Sequence, residues 1–336
     1  MNNVNFARSV LIVLVVLGHS LIFWTGEWVF GNVAIQEPIL GHISNWFGTF
    51  HTHALTAISG FTYEYVIDKR GRYYFSDLFK KKIRRLLFPY LFISIFWVIP
   101  LTSIFIPVDS DFIVNKFVLG KSPAQLWFLL MLFNVFVLFF PLRHLLEKSS
   151  IFYVLFPFLY FISIAFGDLS NNYFQFFTSI KYLSFFAIGH LIYKHRKLLF
   201  TNDRCNLRQP LVLCTLALIH VIAYLLYLFN LPGTKTLLML YLNIGGCFTA
   251  TAILLYLGEK VNPNNKLMNA FSSNSFGVYL LHQQIIYFTL FYLNGIICPA
   301  LHAIINFVVS LVLSLVLSAL LHKIKFIRIY FLGEKK

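Results

Sequence analysis

The chain reads as a series of apolar stretches, each about as long as a bilayer is thick, separated by short polar breaks. Charge-free runs such as Phe133 to Leu142 and Val308 to Leu321 set the tone. About 18 or more apolar residues in a row suffice for a helix to cross a membrane. Segmentation on that basis predicts ten spans: 6–24, 44–66, 87–107, 124–142, 150–167, 176–193, 210–230, 236–257, 272–293 and 300–321. The polar group Asn262, Asn264, Asn265 and Lys266 separates the eighth span from the ninth. The expected fold is all-α, a polytopic transmembrane helix bundle forming one domain over 1–336. A β-barrel is excluded, because its strands alternate apolar and polar residues.

Composition sharpens this reading. Of 336 residues 59% are hydrophobic and 12% charged, against about a quarter charged in soluble chains. The net charge of +15 invites a nucleic-acid partner, but its placement argues for none. With a cytoplasmic N-terminus, 22 of the 27 basic residues fall in inner loops or the tail. Lys116, Lys121, Lys181 and Lys235 fall outside, and Arg8 lies at the inner end of the first helix. Inner loops enriched in Lys and Arg set membrane orientation, so both termini are expected in the cytoplasm. The first apolar run is long enough to span and lacks a small-x-small cleavage site, so no cleavable signal peptide is expected. Cys205, Cys214, Cys247 and Cys298 are scattered, without metal-ligand spacing or a disulfide pattern. With short outer loops, the longest at about 24–43, and no soluble domain in view, chemistry belongs inside the bundle or at its mouths.

Ionisable side chains inside a span are costly and mark functional candidates. Arg8 and His19 are eleven residues apart, which places them on one helix face about 16 Å apart along the axis. His51 lies about 10 Å below the outer end of the second span and His19 about 20 Å above the inner end of the first, the same level in a core about 30 Å thick. Adjacent helices usually pack together, so the two imidazoles form a candidate pair of general base and positioning group. The competing reading is two buried histidines hydrogen-bonded within their helices. His53 points to another face. His282, with Gln283 and Gln284, lies near mid-depth and is a candidate to line the same cavity. His190, His220, His302 and His322 show no convergence and receive no role.

Eight basic residues lie between Lys69 and Arg85, ending in Lys80-Lys81-Lys82 and Arg84-Arg85. Such an inner loop suits anionic lipid head groups, or a phosphate-bearing cosubstrate gripped by arginine forks. Pro89 and Tyr90 are expected to bend or cap the start of the third helix. A phosphorylated carrier at the inner mouth and a reactive centre some 15–20 Å deeper, on the helix spacings above, fit the shape of coenzyme A.

Five segments together resemble the integral membrane acyltransferase family (acyltransferase family 3), in its fucose 4-O-acetylase-like and polysaccharide O-acetyltransferase branches. ARSVLIVLVVLGHS carries Arg8 and His19; FHTHALTAISGF carries His51, Ser59, Gly60 and Phe61; KKIRRLLFPY carries Arg84, Arg85, Pro89 and Tyr90. LWFLLMLF carries Trp127, and SFGVYLLHQQI carries Ser275, Tyr279 and His282. His53 and Ala54 depart from the Pro-Leu pair usual in the second segment. The resemblance implies a membrane O-acetyltransferase moving an acetyl group from cytoplasmic acetyl-CoA, without a metal, to a hydroxyl of a cell-surface polysaccharide or its lipid-linked precursor (O-antigen, capsule or exopolysaccharide). It implies His19 as base or transient acyl acceptor, His51 assisting, Arg8 supporting the donor, and Arg84 and Arg85, with Lys81 and Lys82, holding its phosphates. Ser59, Trp127 and His282 are expected at the substrate cavity, and the setting is the bacterial cytoplasmic (inner) membrane among its lipids. The rival class is a transporter or flippase of lipid-linked oligosaccharide, which would line a through-path on many helices.

Overall fold

The computed structural model describes residues 2–26, 32–71, 74–146, 152–167, 172–199, 208–229 and 232–334. Arg72, Lys148, Arg204, Cys205, Lys335 and Lys336 lie outside the described residues. Within them the chain is helical and without strands. The long helices are α1 (Asn2–Leu21), α2 (Pro38–Gly48), α3 (His51–Arg70), α4 (Phe75–Thr102), α5 (Trp127–Leu146), α6 (Phe152–Gly167) and α7 (Phe176–Lys194). They continue with α8 (Arg208–Leu228), α9 (Lys235–Lys260), α10 (Lys266–Leu293) and α11 (Pro299–Leu321), followed by a short α12 (Lys325–Tyr330).

Among the described residues eight helices are long and apolar enough to cross a membrane: α1 with its 3₁₀ extension to Thr25, α4, α5, α7, α8, α9, α10 and α11. Helix α6 is described over Phe152–Gly167 of the predicted span 150–167, whose first two residues lie outside the described ones. The 44–66 stretch is two helices, α2 and α3, broken at Thr49 and Phe50. α3 is polar, with His51, Thr52, His53, Thr56, Ser59, Thr62 and Glu64, yet most of it is buried in protein. A helix that faces protein on most sides needs no lipid-compatible composition.

The third predicted span, 87–107, also starts earlier than expected. α4 begins at Phe75, so Lys80 to Arg85 lie on a helix and not in a loop. Phe75, Leu78 and Phe79 repeat at helical spacing, and the Phe75 and Phe79 rings pack at a tilt against Phe140 and Phe133 of α5. Pro89 does not end the helix. It removes the N–H that would bond the Arg85 carbonyl, and the chain widens to a π-turn over Ile83–Leu87 in which Phe88 N donates to Ile83 O. Pro100 follows a second π-turn, Ser94–Val98, in the same way.

The chain forms two compact units. The first comprises Met1–Thr25, Glu37–Gly71 and Phe185–Ser273. In it α9 packs against α1, α3 and α8, and α1 also packs against α2 and α3. Two glycines let α3 and α7 meet backbone to backbone: a Cβ on Gly60 would lie 2.0 Å from Phe186 O, and one on Gly189 would lie 1.7 Å from Ala57 O. The second unit comprises Gly26–Gln36, Arg72–Ser184 and Asn274–Lys336. There α11 sets Ser310, Ser314 and Ser318 on one fully buried stripe, and a Cβ on Gly277 of α10 would meet Ser318 Oγ at 2.2 Å. Small residues at a crossing replace the missing hydrophobic drive between helices in lipid.

Candidate functional site

In the first unit, α1 is one continuous helix from Asn2 to Leu21, so Arg8 and His19 share a face. Both are half-buried. His51 is the first residue of α3, directly after the break, and is buried. The break is held by Thr49 Oγ1, which donates to Trp46 O at 2.7 Å, and by Phe50 N donating to Phe47 O at 3.1 Å. The expected continuous rise from residue 44 to His51 is therefore replaced by a kinked approach.

That kink aims the His51 ring. Its Nδ1 donates to the Phe47 carbonyl, one turn back across the break. A carbonyl oxygen only accepts, so Nδ1 keeps its proton and the neutral ring carries its lone pair on Nε2. The Cε1–Nε2 edge lies against α1 at Gly18, with Cε1 3.9 Å and Nε2 4.0 Å from where a Cβ would stand. Gly18 immediately precedes His19, and its carbonyl accepts from Ser44 Oγ of α2 at 3.0 Å. His51 and the turn of α1 bearing His19 are thus in contact within one unit. His53 makes a parallel bond, Nδ1 to Thr49 O at 2.7 Å, but its ring packs on Phe185 with centroids 4.1 Å apart. Ser59 is half-buried one turn before Tyr63, and its hydroxyl donates to Leu55 O at 3.1 Å.

Sequence reasoning overlooked Glu64 and gave His190 no role. Glu64 Oε2 lies 3.0 Å from His190 Nδ1, both side chains buried. One turn on, Asp68 Oδ2 accepts from Tyr193 OH at 2.6 Å and from Arg196 Nη2 at 3.4 Å. The acidic residue inside a predicted span was the available signal. Its partner, on a helix far along the chain, was not readable from spacing. His220 also gains a place: its ring rests on Gly246 and faces Phe50 and Trp46 beside the α2–α3 break.

The remaining candidates lie in the second unit. Lys81 and Lys82 are half-buried on α4, and Lys82 Nζ sits 3.1 Å above the Phe136 ring. Arg84 and Arg85 occupy the π-turn. Trp127 opens α5 and meets Tyr182 edge-on at 5.6 Å. His282 is fully buried, its Nδ1 2.8 Å from Tyr279 O. Around it lies a buried carboxamide pair: Gln125 Nε2 donates to Gln284 Oε1 at 2.7 Å and to Leu280 O at 2.8 Å. Tyr279 OH donates to the Gln125 carbonyl. Left-handed φ occurs at Ala124 (47°), in the segment presenting Gln125 and Trp127, and at Phe174 (50°) and Gln175 (59°) in the turn before α7 that bonds to it. Gln175 Nε2 holds it by donating to Gly120 O and Lys121 O, both at 2.8 Å. Strain of this kind persists only where the surroundings over-determine it, often at functional sites. Among the described residues no three His, Cys, Asp or Glu side chains are grouped to hold a metal ion.

A family model described as an acyltransferase domain matches residues 1–323. The chain matches no curated protein and no solved structure.

Proposed function

Because the chain belongs to acyltransferase family 3, and is thereby a multi-pass membrane acyltransferase, we propose that it is an O-acetyltransferase. It moves an acetyl group from cytoplasmic acetyl-CoA to a hydroxyl of a cell-surface polysaccharide or its lipid-linked precursor, in the bacterial inner membrane. The observation that supports this most directly is the His51 ring lying on Gly18, next to His19, with its proton committed to Phe47 O.

In this reading the acceptor hydroxyl gives its proton to an imidazole nitrogen as its oxygen attacks the thioester carbonyl. The C–O bond forms, the C–S bond breaks, and the proton passes to the departing thiolate. His19 is the base, and His51, with its tautomer set by Phe47, orients the hydroxyl or the carbonyl. Arg8, on the face of α1 that bears His19, supports the donor arm. Arg84 and Arg85, flanked by Lys81 and Lys82, hold the donor phosphates through charge-assisted bonds. Trp127 and His282, both in the second unit, contribute to acceptor binding, where an indole face and amide groups suit a sugar.

Membranes containing the protein, given radiolabelled acetyl-CoA and an acceptor glycan, are expected to transfer label, and His19→Ala is expected to abolish transfer. Equal transfer by the variant removes His19 from the centre. Movement of lipid-linked oligosaccharide across vesicles without any transfer replaces the enzyme by a flippase.

A further inference from the structure

Residues 324–334 lie beyond the stretch matched by the family, yet the structure seats them on the basic turn of α4. Phe326, Tyr330 and Phe331 pack on Phe88, Phe92 and Phe96, with Phe88–Tyr330 centroids 5.8 Å apart and Phe92–Phe331 5.4 Å apart. Gly333, at φ +65°, lies so close that a Cβ would stand 2.6 Å from Arg84 O and 2.7 Å from Arg85 Cα. The tail reaches this backbone where the π-turn before Pro89 has loosened the helix.

The next residue is the only acid of the tail. Glu334 Oε1 lies 3.2 Å from His322 Nε2, and its Oε2 lies 3.6 Å from Arg328 Nε. His322 Nδ1 also faces an acceptor, Ser318 O, at 2.7 Å. Both ring nitrogens of His322 thus face acceptors, with Glu334 on the Nε2 side. The Glu334 charge also acts on Arg85. Two guanidinium donors nearby, Arg84 Nε and Arg328 Nε, are buried and hydrogen-bonded to no atom among the described residues. Buried donors without acceptors call for an explanation, and here cationic groups outnumber the single carboxylate among them.

We propose that Arg84, Arg85, Arg328 and His322 form one anion site that takes a phosphate group, with Glu334 as the internal anion that a phosphate displaces. This rests on the donor-site reading above and extends it to the tail. Glu334 is suited to displacement. Its contact with Arg328 is long and both side chains are about two-fifths exposed, at 43% and 39%, the kind of ion pair that contributes little. A phosphate monoester brings more charge and three acceptor oxygens, and a phosphodiester brings two on a tetrahedral centre, which can serve donors a planar carboxylate leaves wanting. Gly333 meanwhile keeps the tail backbone in place while the Glu334 side chain swings away. The phosphate comes from a nucleotide such as that of coenzyme A or from a phospholipid head group.

The full-length protein, purified in detergent, is titrated calorimetrically with coenzyme A and with dephospho-coenzyme A. In parallel its thermal midpoint is compared in phosphatidylcholine nanodiscs with and without phosphatidylglycerol. Glu334→Gln is expected to tighten the responsive arm about threefold, the scale of a lost exposed ion pair. Arg328→Gln is expected to weaken it about tenfold, the scale of a charged hydrogen bond, with Arg328→Lys in between. A response confined to coenzyme A assigns the nucleotide; one confined to phosphatidylglycerol assigns the head group. If neither arm responds to either variant the proposal falls, and if Arg328→Gln does not fold, unchanged binding by Glu334→Gln alone overturns it. The readout is binding, so it separates from catalysis. Binding that follows these variants in a protein without acetyl transfer removes the enzyme and leaves the site, whereas intact transfer with indifferent binding does the reverse.

Discussion

His51 and His53 stand two residues apart on α3 and make the same bond, ring Nδ1 to a carbonyl one turn back. Their surroundings separate them. The free edge of His51 lies on α1 beside His19, whereas the His53 ring is stacked on Phe185. His51→Gln is therefore expected to lower kcat by about a hundredfold, the scale of lost orientation at a reacting centre, with little change in thermal midpoint. His53→Ala is expected to act the other way, costing about 1–3 kcal/mol of stability through lost aromatic packing and sparing the rate per folded molecule. Initial rates normalised to folded protein, beside thermal unfolding, distinguish the two; a rate loss of equal size at both positions contradicts the division. Residue type and spacing were enough to single out His51, because imidazoles are rare and costly inside spans. The bond that sets its tautomer was not legible, since it depends on a break at Thr49 and Phe50 that no proline announces.

The helices show where pattern reading succeeds and where tertiary packing overrides it. Long apolar runs located α1, α5, α8, α9, α10 and α11 closely. The basic run before Pro89 reads as an inner loop on its charge density; the structure continues it as a helix, with the π-turn over Ile83–Leu87 accommodating the proline. The α3–α7 crossing was invisible in another way. Gly60 read as a family position, and only the fold shows that it and Gly189 admit the opposing backbone. Gly60→Ala forces a methyl onto Phe186 O and is expected to cost about 1–3 kcal/mol, as overpacking does. Further along the same crossing, Glu64→Ala removes the carboxylate beside His190 Nδ1 and is expected to cost about 1–3 kcal/mol, while Glu64→Gln, which keeps shape and a polar partner, costs less. Thermal unfolding of the three variants checks this ranking. A Glu64→Ala protein as stable as the parent would mean the buried contact contributes nothing to holding α3 against α7.

At the scale of the whole chain, the open quantity is how many helices cross the membrane, and α3 decides it. Among the described residues eight helices qualify by composition, and α3 is not among them because its polar residues lower its hydropathy. Charge placement argues that the α2–α3 segment crosses even so. The basic residues from Lys69 to Arg85 follow it directly, and those of the later loops keep step with them. If the chain re-emerged on the side from which that segment set out, with the N-terminus still inside, nearly all of the 27 basic residues would lie outside, against the insertion bias. The bias could be rescued only by placing the N-terminus outside, which puts Arg8 near the outer surface and Gln36 in the cytoplasm. The two arrangements thus differ at Gln36. In a variant with Cys205, Cys214, Cys247 and Cys298 replaced by serine, Gln36→Cys is expected to react with a membrane-impermeant maleimide in intact spheroplasts, and Lys69→Cys only after lysis. Labelling of Lys69→Cys in intact cells, or of Gln36→Cys only after lysis, would mean that α3 does not carry His51 inward from the outer side. The centre formed by His19 and His51 would then have to be reached by an acceptor from the same compartment as the donor.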